Sequence, residues 1–184
     1  EPKGVGDALL QARHLVGNEP VAVLYGDDVV YSRTEPALKQ LLRVFEKYRR
    51  PVFALDRVPR KIVSRYGVIG GRKVAPRTWL VDRLIEKPSV KAAPSTLAIV
   101  GKYILTPEVF SELSKVKAQK GKELYLTSAF ERILKKKGEI YGYELKGTRY
   151  DCGDKLGLLK AIIDFGLRHE EVKKGLRAHL KHVR

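Results

Sequence analysis

The run Val21-Ala22-Val23-Leu24-Tyr25-Gly26-Asp27-Asp28-Val29-Val30-Tyr31 decides how this chain is read. A short apolar segment, written as a buried strand, runs directly into two adjacent carboxylates. Ionised side chains avoid low-dielectric surroundings unless something compensates them. A divalent metal ion is a compensation that also performs chemistry. Mg²⁺ held by one or two carboxylates leaves its other positions to water and substrate phosphates. The run therefore points to phosphoryl or nucleotidyl transfer.

The segments around it fit a domain of alternating strands and helices. Val5, Ala8, Leu9, Ala12, Leu15 and Val16 follow one helical face, which Gly17-Asn18 and Pro20 bring to an end. Leu38, Leu41, Leu42, Phe45 and Tyr48 form a second helical stripe, with Thr34 as an expected N-cap and Pro36 early in the first turn. Strands are expected over 51–58, 79–86, 97–105 and 139–145. Helices are expected after Thr106-Pro107 and over about 124–137. Arg65 to Arg77 reads as a strand followed by a loop rich in Gly and basic residues. Residues 155–168 and 170–182 read as basic amphipathic helices. This order predicts an α/β fold, a Rossmann-like, mainly parallel sheet flanked by helices. The whole of 1–184 is expected to be a single domain, with 154–184 as its C-terminal helical segment.

Composition narrows the function classes. The chain has 184 residues, enough for one sizeable core, and 43% are hydrophobic. No apolar stretch approaches the length of a membrane span, and none resembles a signal peptide. A single cysteine excludes an internal disulfide and suits a reducing cytoplasm. Lys and Arg number 37 against 21 Asp and Glu, a net charge of +16 that attracts polyanions. The cations are scattered and few aromatics sit among them, so most read as solvated faces rather than as a nucleic-acid platform. The chain starts at Glu1 and contains no Met, so a region preceding Glu1 is expected.

Three other segments carry candidate chemistry. Glu86-Lys87-Pro88 closes a strand, where α/β proteins place ligands; by strand alternation its two charges face opposite ways unless the chain kinks before the proline. Taken alone, the pair reads as a solvated strand end. Tyr66-Gly67-Val68-Ile69-Gly70-Gly71 is Gly-rich without being a dinucleotide fingerprint, and Gly67 would let a ligand approach the main chain. In Arg149-Tyr150-Asp151-Cys152-Gly153-Asp154-Lys155, either Asp151 or Asp154 could be a second metal carboxylate, while Asp154 also fits a helix N-cap. Cys152 reads as a small buried residue rather than a nucleophile. His14, His169, His179 and His182 have no metal-ligand spacing.

In this order, the segments resemble the bacterial-type UTP–glucose-1-phosphate uridylyltransferases, also called UDP-glucose pyrophosphorylases. The resemblance is carried by Pro2-Lys3-Gly4-Val5-Gly6, by Asn18 to Leu24 with Gly26-Asp27-Asp28, by Tyr66 to Ile69 and by Glu86-Lys87-Pro88. It continues through Ala93-Pro94-Ser95, Gly101 to Glu108, Arg149 to Lys155, Leu158 to Ala161 and Leu167-Arg168-His169. It implies the sugar-phosphate nucleotidyltransferase fold and a Mg²⁺-dependent transfer that makes UDP-glucose and pyrophosphate from UTP and glucose 1-phosphate. It implies that Asp27 and Asp151 bind the metal, that Glu86 accepts hydrogen bonds from glucose hydroxyls and that Lys87 contacts the sugar-linked phosphate. Gly67 would touch the sugar through its main chain, Gly4 would lie beneath the uracil and Asp28 would support the site. A homo-oligomer is implied as well.

The pattern also departs from the family. Family members begin with a Gly-rich loop whose Arg and Lys bind the UTP phosphates, with a Gln upstream of Pro2-Lys3-Gly4, and neither stands in this sequence. The chain is therefore expected to be truncated at its N-terminus, with the sugar and metal half of a site. Tyr125 stands where the family has Gln, and Ser128 where it has Asp. Two other readings stay open: a non-catalytic sugar-nucleotide-binding relic of this fold, and a basic nucleic-acid-binding or polymerase-like protein. The latter draws on the charge and on Tyr25-Gly26-Asp27-Asp28, which resembles the metal hairpin of RNA-dependent RNA polymerases; no other polymerase motif accompanies it.

Overall fold

In the computed structural model, which describes residues 3–116 and 123–183, the centre of the molecule is strand β3 (Val52–Arg57). Glu1, Pro2 and Arg184 lie outside the described residues. Val52, Phe53, Ala54 and Leu55 are all 0% exposed, because both faces of β3 are covered. Phe53 and Leu55 point into one apolar cluster, Val52 and Ala54 into another. Such two-sided burial explains a continuous apolar run rather than an alternating one.

The main sheet has six strands in the order β1-β6-β3-β7-β5-β4. The others are β1 (Val21–Leu24), β4 (Gly67–Ala75), β5 (Thr78–Glu86), β6 (Leu97–Leu105) and β7 (Tyr141–Glu144). On one face lie α1 (Val5–Val16), α3 (Pro107–Leu113) and α4 (Thr127–Lys135), which cover Phe53, Tyr103 and Leu105 with Val109, Phe110, Phe130 and Ile133. On the other, α2 (Ala37–Tyr48) packs Leu41, Val44 and Phe45 against Ala54, Val100 and Ile104. The result is a layered α/β fold, as the sequence predicts.

The strand directions correct one part of that expectation. Among the described residues only β3–β7 pairs in parallel; β1–β6, β3–β6, β5–β7, β4–β5 and β4–β6 are antiparallel. The connections explain it. Parallel neighbours need a long crossover, whereas β4 and β5 are joined by Pro76-Arg77 alone, with Arg77 at φ 60°. The Arg77 side chain donates to the Glu144 and Leu145 carbonyls, which ties this hairpin to the end of β7. Strand β4 also runs through Gly70 to Ala75, the stretch read from sequence as loop. Its pairing with β5 persists across a register shift at Gly70/Gly71. Helix α2 starts after Pro36, not Thr34, and has no side-chain cap.

A second, two-stranded ribbon stands beside the sheet: β2 (Asp28–Tyr31) against β8 (Thr148–Asp151). Two helices follow it, α5 (Lys155–Gly166) and α6 (Lys173–His182). Among the described residues no helix is long and apolar enough to cross a membrane.

Candidate functional site

The tetrapeptide Tyr25 to Asp28 is the hinge between sheet and ribbon. The Tyr25 N–H donates to the Gly101 carbonyl on β6 (2.8 Å), which extends β1 by one residue. The chain then turns through Gly26-Asp27 and enters β2 at Asp28. There the register pairs Asp28 with Asp151, Val29 with Tyr150 and Val30 with Arg149. The Cys152 N–H donates to the Asp27 carbonyl (2.7 Å) and closes the turn against the end of β8. The two acidic segments, far apart in sequence, thus lie side by side.

The carboxylates divide into two kinds. Asp28 is 6% exposed and fully engaged. Arg149 grips it with Nε on Oδ1 (2.8 Å) and Nη2 on Oδ2 (3.0 Å), and the Gly101 N–H donates to Oδ2 (2.8 Å). Burial, the largest influence on Arg149, works against its charge, but Asp28 outweighs it and holds the guanidinium above the usual arginine range. Lys102 Nζ donates to the Asp28 carbonyl, although burial pulls this ammonium below the usual lysine range.

Asp27 is exposed instead, and Asp151, held at Oδ2 by the Tyr66 hydroxyl (2.9 Å), turns Oδ1 towards it. A Cβ placed on Gly153 would sit 3.3 Å from Asp151 Oδ1 and 3.4 Å from Asp27 Oδ2, so the two oxygens flank one point that carries no side chain. Such an arrangement fits a hard divalent cation that takes two protein carboxylates and completes its shell with water and phosphate. Among the described residues no group of three or more His, Cys, Asp or Glu gathers into a fuller ligand set. Asp154 is the N-cap of α5, accepting from the Gly157 N–H (3.1 Å), which is the second of its two readings. Cys152 is half-buried rather than fully buried, and its thiol lies 3.8 Å from the Tyr150 carbonyl oxygen.

Both carboxylates line a cavity of ≈ 320 Å³. Its walls include Tyr25, Arg65, Tyr66, Gly67, Glu86, Gly101, Tyr103, Tyr125, Thr127 and Arg149. Gly67 and Glu86 are direct partners across β4–β5, and a Cβ on Gly67 would lie 3.0 Å from Glu86 Oε2. Glycine here leaves the Glu86 carboxylate open to the cavity. Tyr25 and Tyr103, also in the cavity wall, meet at 5.4 Å between ring centroids, and burial raises both hydroxyls above the usual tyrosine range.

Lys87 and Gly4 lie at the margin. Lys87 adopts φ 45°, the kink before Pro88, and its ammonium rests 4.9 Å over the Tyr125 ring and 3.5 Å from the Tyr125 hydroxyl. It borders the cavity through Tyr125. Gly4, at φ 94°, caps α1 against Glu123 and Leu124, next to the cavity residue Val5. The structure therefore gathers Asp27, Asp151, Gly67 and Glu86 into one cavity and leaves Lys87 and Gly4 at its rim.

Sequence reasoning missed Arg149, Tyr66 and the Tyr25–Tyr103 pair. Arg149 and Asp151 share a face by strand alternation, which was a readable signal. That Asp28 stands across from them was not readable, because it depends on the ribbon register.

The family model described as nucleotidyl transferase matches residues 1–165. UTP–glucose-1-phosphate uridylyltransferase 2 of Streptococcus pyogenes is 43% identical over 183 residues, covering 97% of this chain and 61% of the relative. The Staphylococcus epidermidis UTP–glucose-1-phosphate uridylyltransferase is 42% identical, covering 100% and 63%. The chain thus spans somewhat over three fifths of the length of these relatives. A crystal structure of UDP-glucose pyrophosphorylase complexed with UDP-glucose superposes with a TM-score of 0.86 at 37% identity, over 92% of this chain and 64% of that one. A UTP-bound UGPase from Acinetobacter baumannii gives 0.87 at 27% identity, over 100% and 64%.

Proposed function

This chain belongs to the nucleotidyl transferase family, and from that membership we propose that the protein transfers the uridylyl group of UTP to glucose 1-phosphate, forming UDP-glucose and releasing pyrophosphate. The observation that carries the reading is the meeting of Asp27 Oδ2 and Asp151 Oδ1 at Gly153, in the cavity that also holds Glu86 and Gly67. The names of the relatives supply the substrates.

In this reading Asp27 and Asp151 hold Mg²⁺, which neutralises phosphate charge when bound. Glu86 accepts hydrogen bonds from the glucose hydroxyls, and Gly67 lets the sugar lie against the β4 main chain. Lys87 contacts the sugar-linked phosphate, and Gly4 sits beneath the base. Both reactants are anions, so the protein's main tasks are to position them and to offset their repulsion. Lys87 can leave its rest on Tyr125 for this purpose. An exposed cation–π contact is worth about 0.5–1 kcal/mol, whereas an opposite charge at contact distance supplies roughly 4 kcal/mol at an effective dielectric near 20. The phosphate wins that competition.

We read residues 1–184 as one domain of a cytoplasmic homo-oligomer; the support is the family resemblance, with the lone cysteine in keeping. The test is pyrophosphate release from UTP and glucose 1-phosphate with Mg²⁺, using protein made from the complete reading frame beside an Asp27→Ala variant. Release that needs both substrates and Asp27 supports the reading. Release unaffected by the Asp27 substitution overturns it.

A further inference from the structure

The ribbon register creates an electrostatic problem at its open end. Asp28 and Asp151 are direct cross-strand partners, so their side chains project from the same face. Like charges placed so oppose the pairing. Arg149 lies on that same face two residues before Asp151, and could neutralise either carboxylate. The structure commits it to Asp28, with two hydrogen bonds and only 13% of its side chain exposed. Its distance to Asp151 Oδ2 is 3.6 Å. At that distance Arg149 forms an ion pair with Asp151 but no hydrogen bond, so the Asp151 oxygens are left to other partners.

That leaves the orientation of the Asp151 carboxylate to be set. The terminal torsion of an aspartate is broad and two-fold, so an unanchored carboxylate samples many orientations. Here Oδ2 accepts a hydrogen bond from the Tyr66 hydroxyl (2.9 Å), which turns Oδ1 towards Gly153 and Asp27. The Tyr66 ring is placed in turn by Arg149, whose guanidinium lies 5.3 Å from the ring centroid. A continuous chain of contacts leads from the core strand β6 through Gly101, Asp28, Arg149 and Tyr66 to Asp151.

We propose that Tyr66 and Arg149 are positioning residues for the metal carboxylate Asp151. Tyr66 fixes its rotation, and Arg149 fixes Tyr66 while neutralising Asp28. The inference rests on the reading that Asp27 and Asp151 hold a divalent cation. Neither residue needs to touch the reacting phosphates; each acts through Asp151. Partners of this kind affect metal affinity about 10–100-fold when removed.

The test is a Mn²⁺ titration, followed through the spin-resonance signal of free Mn²⁺, on wild type, Asp27→Ala, Tyr66→Phe and Arg149→Lys, with melting curves of each. Tyr66→Phe should weaken Mn²⁺ binding about tenfold, the lower end of that range, without moving the melting temperature of the metal-free protein. Arg149→Lys keeps the charge but loses the planar fork, and should weaken binding as well. In turnover assays Tyr66→Phe should raise the Mg²⁺ concentration needed for half-maximal rate by a similar factor and leave KM for glucose 1-phosphate unchanged. If Asp27→Ala abolishes Mn²⁺ binding while Tyr66→Phe binds as tightly as wild type, the inference falls and the reading stands. If Asp27→Ala binds Mn²⁺ normally, or wild type binds none, the reading falls and takes the inference with it. Should Arg149→Lys fail to fold, Tyr66→Phe decides.

Discussion

The centre of the six-stranded sheet and the β2–β8 ribbon with its two helices are built on different principles. In β3 the residues Val52 to Leu55 are completely buried, and their neighbours are apolar on both faces. In α5 only Ala161 is buried, while Leu156 and Ile162 are 58% exposed and Leu159 56%. What holds the ribbon is largely polar: Arg149 on Asp28, Tyr66 on Asp151, and the Tyr150 hydroxyl on Asp164. Packing gives the sheet its stability, and directional bonds give the ribbon its geometry. The candidate site lies along the seam, with Glu86 and Gly67 from the sheet and Asp27 and Asp151 from the hinge and ribbon. A site of this kind can orient oxygens closely without depending on deep burial.

Substitutions in the two regions should differ accordingly. Phe53→Ala removes a fully buried ring from the sheet, and should cost about 3–5 kcal/mol in chemical denaturation. The largest effect in the ribbon, smaller than this, should come from stranding a charge. Arg149→Leu leaves Asp28 buried without its cation; because Arg149 itself is 13% exposed, the loss should fall below the fully buried case, at about 2–3 kcal/mol. If Asp28→Asn combined with Arg149→Leu recovers most of that loss, the ion pair is confirmed as the cause.

A pH effect separates the regions further. Glu112 on α3 is held at about 2 against an ordinary 4.5, first by hydrogen bonds from Lys115 and Lys136. A depressed carboxylate stabilises the fold above its unfolded pKa, and the contribution disappears as the pH falls through the folded value. The stability difference between wild type and Glu112→Gln should therefore be full at about pH 6 and shrink steadily from about pH 4.5 towards pH 2. A difference that persists unchanged at the acid end would mean that shape, not charge, is at work. The smallest effect is expected at Leu159→Ser on the exposed helix, within about 0.5 kcal/mol. A clearly larger loss there would show that α5 is covered in solution.

The same contrast governs what the sequence disclosed. Helices α2 and α4 were legible because each buries a regular apolar face, and β3 and β6 because each is a continuous apolar run; α1 is a helix as expected, but Val5 and Leu15 of its expected apolar face are 42% and 80% exposed. Strand order and direction were not, since pairing is settled between distant segments. Gly70 to Ala75 misled because clustered Gly signals a turn, while β5 supplies enough cross-strand pairing to keep the stretch extended. At the site, Asp27 stood out by its setting at a strand end, and the resemblance singled out Asp151, Glu86 and Gly67. The resemblance also assigned the metal to Asp27 and a supporting role to Asp28; what the residues alone did not give is the partner of Asp28, which the ribbon register supplies as Arg149. The position of Lys87 over Tyr125 was equally hidden, as it joins β5 to the segment before α4.

The central claim is that Asp27 and Asp151, not the Asp27-Asp28 neighbours, form the metal pair of a uridylyl-transfer site. It is tested most directly by pyrophosphate release from UTP and glucose 1-phosphate with Mg²⁺, comparing Asp151→Asn and Asp28→Asn in protein made from the complete reading frame. The account predicts that Asp151→Asn loses turnover by about three orders of magnitude, as roughly 4 kcal/mol of charge stabilisation implies, with little change in melting temperature. Asp28→Asn should instead lower the melting temperature and retain measurable turnover. Full turnover in Asp151→Asn would contradict the account.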